Sequence, residues 1–244
     1  MEKCGLHQRT GFKKTTAINN DMLTTESLQF LDDLKINNNR DWFQDNKKRY
    51  EIFKKDYHQL VSDFLDVMKP LDPSLELLEI KNCTFRINRD IRFSKDKTPY
   101  KAHLGVWMSP GAKGANRAGY YVHIEKGASF IAGGFYSPDA EDLKKVRKEI
   151  AFFHDDLEAI LADKNFRKEF GSLDINENNS LKSMPRGYEK DHPAIEFLKL
   201  KSFNATQKFD IKEVTQKDFV AKISKKLIAL KPLNEFINRA LETE

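Results

Sequence analysis

Residues 86–101 (Arg-Ile-Asn-Arg-Asp-Ile-Arg-Phe-Ser-Lys-Asp-Lys-Thr-Pro-Tyr-Lys) concentrate the groups most able to do chemistry in this chain of 244 residues. Arg86, Arg89 and Arg92 recur at intervals of three, and Lys97, Lys101, Tyr100, Asp90 and Asp96 lie among or just beyond them. Between residues 86 and 117 eight lysines or arginines face two aspartates, a charge of +6, whereas the whole chain carries +5. The positive charge is therefore local, and a local positive field attracts an anion. Guanidinium is a planar two-pronged donor that matches phosphate or carboxylate, and lysines add point charges to such a site. Asn88-Arg89-Asp90 has turn character, so the run is expected to bend and bring its arginines together. The competing arrangement is an internal network in which Asp90 and Asp96 fasten the arginines to the scaffold. Surface pairs of that kind contribute only ~0–1 kcal/mol each. The two arrangements are compatible, one arginine being held while others face a ligand.

His103 and His123 stand in segments that read as neighbouring strands. On a shared polar face with Tyr121 and the arginines they could act as general acid or base near neutral pH. A strand histidine can equally be a hydrogen-bonded wall residue. Two histidines without a nearby cysteine, amid surplus positive charge, make a poor cation site, so neither a metal nor a cofactor is expected. Residues 111–114 with Lys113 and Arg117 form a glycine-rich basic loop, but it lacks the Gly-Lys-Ser/Thr ending of a phosphate loop and joins two strands. Pro185-Arg186-Gly187-Tyr188 and Asp191-His192-Pro193 could supply a second wall at a helix start, or be helix punctuation alone. No Ser/His/Asp arrangement, nucleotide fingerprint or zinc motif is present.

The elements that must position these residues follow from periodicity. Thr24 or Thr25 caps a helix with the stripe Leu28, Leu31, Leu34 and Ile36, ended by three asparagines at 37–39. A long helix is expected over 41–69, with Trp42, Phe43, Tyr50, Phe53, Tyr57, Leu60, Val61, Phe64, Leu65 and Met68 inward at spacings of three and four. Asn46 falls on that stripe and needs hydrogen-bond partners there. Strands are expected over 81–87, 102–108, 118–125, 128–136 and 203–211, with a tight turn at Glu125-Lys126-Gly127. Alternation puts Tyr121 and His123 on one face, Val122 and Ile124 on the other. Asp139 caps a second long helix over Leu143, Val146, Ile150, Phe153, Leu157 and Ile160. A helix over 191–200 and one capped by Thr215 and broken at Pro232 complete the chain. Helices, then strands, then helices is an α+β order: an antiparallel sheet of four or more strands packed against several long helices.

Residues 1–21 read as a disordered basic extension and 22–244 as a single domain. A basic arm touching nucleic acid is the rival reading of the extension. Cys4 and Cys83 make no disulfide framework, and no apolar run of about 18 residues is long enough to cross a membrane. A reducing cytoplasm fits that composition best.

Arg86-x-x-Arg89-Asp90-x-Arg92-Phe93 with Asp96-Lys97 and Tyr100-Lys101 resembles the signature of the domain of unknown function numbered 2461. The resemblance extends over about residues 23–241. It includes Arg40-Asp41-Trp42-Phe43, Gly119-Tyr120-Tyr121-x-His123, Gly133-Gly134-x-Tyr136 and residues 185–193. It implies no activity, substrate or cofactor. The expected site is a positive concave surface built from Arg86, Arg89, Asp90, Arg92, Lys97, Tyr100, Lys101 and Tyr121, with His103 and His123 as candidate catalytic groups. Its expected ligand bears phosphate, either nucleic acid or a small phosphorylated molecule. The alternatives are an enzyme acting on a phosphorylated or carboxylated substrate through a histidine, and a protein-interaction module with an internal Arg/Asp network.

Overall fold

The computed structural model describes residues 23–111 and 115–242. The expected extension over 1–21, and Lys113 of the basic loop, lie outside the described residues. In chain order come α1 (Thr25–Ile36), α2 (Arg40–Asp45), α3 (Lys47–Leu71), α4 (Ile80–Cys83), β1 (Leu104–Met108), β2 (Gly119–Ile124) and β3 (Phe130–Phe135). They are followed by α5 (Ala140–Phe152), α6 (His154–Ala162), α7 (Lys164–Glu169), α8 (Ile195–Leu198), β4 (Phe203–Lys208), α9 (Phe219–Leu227) and α10 (Lys231–Glu242). The four strands form one antiparallel sheet in the order β1-β2-β3-β4, and the fold is α+β.

Period-two alternation gives the sheet one dry face. Leu104, Val106 and Met108 pair with Ile124, Val122 and Tyr120, and all six are buried. Ile131, Phe135, Phe203 and Ala205 continue that face across β3 and β4, and α9 and α10 pack against β3 from the same molecule-wide core. The opposite face carries Trp107, Tyr121, His123, Phe130 and Thr206, all only half-buried. Gly134 adopts φ +116°, and a Cβ there would lie 2.1 Å from the Phe203 carbonyl oxygen, so only glycine lets β4 approach β3 at that point.

Several expected elements are divided. The helix expected over 41–69 is α2 and α3, interrupted at Asn46. The Asn46 amide donates to the Trp42 carbonyl at 3.0 Å and its side-chain oxygen accepts from Arg49 at 3.1 Å, so its polar groups end one helix and serve the next. The second long helix likewise stops at Phe153 and restarts as α6. The strand expected over 81–87 is a correction: its first half is α4. There the Asn82 side chain accepts from the Glu79 backbone N–H at 2.9 Å in a capping box, which favours a helical turn over extension. Only Thr84 remains strand-like, bridging Val106. The helix expected over 191–200 shrinks to the four residues of α8, and Thr215 ends a 3-10 turn. Thr24 and Asp139 do cap α1 and α5.

The dry face contains one strongly polar link. The Tyr120 hydroxyl donates to Asp72 Oδ2 at 2.6 Å, with both side chains buried. Asp72 also accepts from the Ser74 hydroxyl at 2.6 Å, fastening the end of α3 to the middle of the sheet. Burial, reinforced by the carboxylate, pushes the Tyr120 phenol far above its ordinary pKa. Tyr120→Phe should therefore leave a buried carboxylate one donor short and lower unfolding stability by about 1–3 kcal/mol. Urea denaturation checks this, the midpoint falling at unchanged slope.

Candidate functional site

The basic run folds as an irregular hairpin. The Lys101 N–H donates to the Ile87 carbonyl at 2.8 Å and the Arg89 N–H to the Pro99 carbonyl at 2.9 Å, and Asn88 bridges Tyr100. Arg86 and Lys101 thus stand at its base, and residues 90–98 form its tip. Toward the tip the two arginines are each paired with an aspartate. Arg89 donates to Asp96 Oδ2 at 2.5 Å and to the Thr98 hydroxyl. Arg92 grips both oxygens of Asp90, at 3.0 and 2.7 Å. The Thr98 N–H, with Arg89 behind it, holds the Asp96 carboxyl down at about 2, and Arg92 lowers Asp90. Lys97 Nζ donates to the Ile91 carbonyl. Tyr100 is buried, stacked on Phe43 at 4.1 Å, and its backbone is bound on both sides by the Asn38 amide.

At the base the arrangement differs. A pocket of about 550 Å³ opens between α3 and the chain leading into β1. From α3 come Tyr50, Phe53, Lys54, Tyr57 and His58, a single helix face by their spacing of three and four. Lys81, Thr84, Phe85, Arg86, Ile87, Lys101, His103, Leu104, Gly105 and Tyr121 complete the lining. Four of these are permanent cations (Lys54, Lys81, Arg86 and Lys101), and no carboxylate is in the lining among the described residues. Lys101 Nζ donates to the Arg86 backbone carbonyl at 3.0 Å and lies 5.3 Å over the Phe85 ring, which anchors the ammonium at the base of the hairpin. Lys81 pairs with Glu79, but both ends are largely exposed (77% and 64%), so that pair contributes little. The Tyr57 hydroxyl donates to the Gly105 carbonyl at 2.5 Å and accepts from the Phe85 N–H at 2.9 Å, clamping both chain segments to α3.

Four of the sequence-predicted residues, Arg86, Lys101, His103 and Tyr121, line this pocket; Arg89, Asp90, Arg92, Lys97, Tyr100 and His123 do not. Lys54 and Lys81 were missed. Lys54 carried a signal, being one residue from Phe53 on the aromatic stripe of α3. Lys81 carried none, because its segment read as a strand.

Behind the pocket wall runs a polar line along the wet face of β2. Glu125 Oε2 lies 3.1 Å from His123 Nε2, and Tyr121 Oη lies 3.0 Å from His123 Nδ1. Burial raises the Glu125 carboxyl, but hydrogen bonds from Lys35 and His123 outweigh it and leave the pKa below the ordinary value. Ionised Glu125 can only accept, so in the neutral imidazole Nε2 carries the proton and Nδ1 accepts from the Tyr121 hydroxyl. Burial, with the Glu125 charge, pushes that phenol up to about 12. Gly105 pairs with His123 across the strands, and a Cβ there would meet the Tyr121 hydroxyl at 2.7 Å. The missing side chain is what lets Tyr121 reach over β1. A broader groove of about 1170 Å³ on the same sheet face is shared by Trp107, Tyr121, Phe130 and Asn204, but its polar groups are largely bonded to one another, as Asn204 is to Asp174.

The chain matches the family described as a conserved hypothetical protein (DUF2461) over residues 26–236, and it belongs to that family. No curated protein and no solved structure matches it.

His103 is held neutral in the pocket wall. Burial, aided by neighbouring His123, lowers its pKa from 6.5 to about 4. Between those values the unfolded chain binds the proton and the folded chain does not, so stability falls as pH drops from 6.5 toward 4. Denaturant unfolding across that range should show the decline, and His103→Gln should make it shallower. A proton NMR titration should place the His103 midpoint near 4.

Proposed function

We propose that this member of the family binds a small phosphate-bearing molecule in the pocket between α3 and β1. The observation that carries the reading is the lining itself, four permanent cations with no carboxylate among the described residues. An Arg and three Lys lining one cavity give it a net positive field even with Lys81 paired to Glu79 at the rim, and low-dielectric aromatic walls strengthen the attraction for an anion that enters. Arg86 supplies the planar fork suited to phosphate oxygens, and the lysines supply point charges around it. The walls from Tyr50, Phe53, Phe85 and Leu104 are apolar, so the preferred ligand carries an apolar or planar body beside its phosphate. A concave site of this size favours a small molecule over a nucleic-acid backbone, which needs an extended track of phosphate contacts. The tip residues Arg89, Asp90, Arg92 and Lys97 serve this reading as scaffold, holding the hairpin so that its base faces the pocket.

Calorimetric titration with pyrophosphate and with a nucleoside monophosphate tests the reading. Binding should weaken as salt is raised. Arg86→Ala and Lys101→Ala should each cost about 1.5–3 kcal/mol, roughly 10–150-fold in affinity, the worth of a hydrogen bond to a charged group. Arg92→Ala, which removes only an exposed pair at the tip, should cost several-fold less than either. Absence of binding at low salt, or a loss from Arg92→Ala as large as that from Arg86→Ala, would overturn the reading. Tight binding of single-stranded oligonucleotide with no binding of either small phosphate would favour nucleic acid instead.

A further inference from the structure

Beside the pocket stand three groups that the anion reading does not use. His103, His123 and Glu125 each bring one nitrogen or oxygen to within 4.8 Å of the other two. Strand register puts them there: Leu104 pairs with Ile124 and Gly105 with His123, so His103 falls diagonal to His123 and opposite Glu125. The His123 ring is also fixed in place. It is stacked on Phe130 at 4.8 Å and 15°, and the His103 ring, just before β1, lies 4.5 Å from it.

We propose that His103, His123 and Glu125 form a binding site for a divalent first-row transition ion of the zinc type. Two imidazole nitrogens and one carboxylate oxygen are the donor set such ions take in open, three-ligand sites. Metal–ligand bonds of about 2.0–2.2 Å in a tetrahedron require donor atoms roughly 3.3–3.6 Å apart. His123 Nε2 already lies 3.1 Å from Glu125 Oε2, and the three donor groups stand within 4.8 Å of one another. When Nε2 of His123 turns to a metal, Nδ1 carries the proton and donates to the Tyr121 oxygen. That is the outer hydrogen bond that orients a metal-bound imidazole. Of the three, His103 lines the pocket, which is the side from which a fourth ligand would come. The site stands on these three side chains and does not depend on the pocket's binding an anion.

Neighbouring positive charge opposes the ion: Lys101 and Arg89 act on His103 from a distance, and Lys35 touches Glu125 directly. Lys35 Nζ lies 2.7 Å from Glu125 Oε1, and its side chain is 55% exposed. A cation at Glu125 must displace or share that ammonium, and a long exposed side chain leaves easily. The proposal therefore makes a prediction of definite sign: removing the lysine charge tightens metal binding.

The test is titration of the full chain with Co²⁺ alone, in the absence of phosphate, followed by visible absorption and then displacement by Zn²⁺. The expected result is a saturable tetrahedral cobalt spectrum with one ion per chain. Losing even an outer hydrogen-bond partner costs on the order of 10–100-fold in metal affinity, so His103→Ala and Glu125→Gln should each cost at least that. Lys35→Met, an exposed change that leaves the core intact, should strengthen binding severalfold. His154→Ala, which removes a histidine paired with Asp155 elsewhere on the molecule, should change nothing. Circular dichroism confirms that each variant is folded. No saturable spectrum, an undiminished spectrum in folded His103→Ala, or a Lys35→Met affinity equal to or weaker than the parent's would each overturn the site. Because no phosphate is present, its failure leaves the anion reading untouched, and failure of pyrophosphate binding leaves the metal site untouched.

Discussion

The two-residue alternation of β2 is the constraint on which everything else rests. Tyr120, Val122 and Ile124 must face the helices, because their burial and the Tyr120–Asp72 bond hold the sheet to α3. That requirement turns Tyr121, His123 and the following Glu125 to the other side, in line and at hydrogen-bonding intervals. A one-residue slip of β2 would exchange the two sets and bury the polar line in the core. Stability and candidate chemistry are thus set by the same register. Gly105 completes the arrangement, since its place opposite His123 leaves room for Tyr121 to cross β1.

The charges of the basic hairpin divide by position. Toward the tip each arginine has a carboxylate within bonding distance, Arg89 with Asp96 and Arg92 with Asp90. Pairs so exposed add little to stability, Arg92 being 75% accessible. Their work is geometric, because the Asp96–Thr98 and Asp90–Arg92 bonds hold the turn in shape. At the base Arg86 and Lys101 meet Lys54 from α3 and Lys81 from α4, brought from separate parts of the sequence. The surplus seen along residues 86–117 is therefore partly neutralised within its own segment and partly augmented from outside it.

Much of this was legible in the residues. The α+β order, the Thr24 and Asp139 caps, the two faces of β2 and the turn at 125–127 follow from local patterns that tertiary packing reinforces. The failures are also physical. A run of inward apolar residues does not reveal a break when one polar side chain can close a helix end, as Asn46 does for α2 while also accepting from the Arg49 side chain of α3. The capping box of Glu79 and Asn82 outweighed the strand composition of residues 81–87. Within the candidate site, Arg86, Lys101, His103 and Tyr121 could be named from type and spacing. Spacing could not show that Arg89 and Arg92 turn to aspartates, because the direction of a loop side chain has no periodicity. Glu125 looked like a turn residue and nothing more, and its meeting with His103 depends on cross-strand register.

The central claim is that anionic ligand is drawn to the base of the hairpin and not to its tip. Backbone amide chemical-shift mapping by heteronuclear NMR with added pyrophosphate tests this most directly. The account predicts saturable shifts at Lys54, Lys81, Arg86, Lys101 and His103, with residues 90–97 undisturbed. Shifts concentrated at Arg89, Arg92 and Lys97, with Lys54 and Lys81 silent, would contradict it.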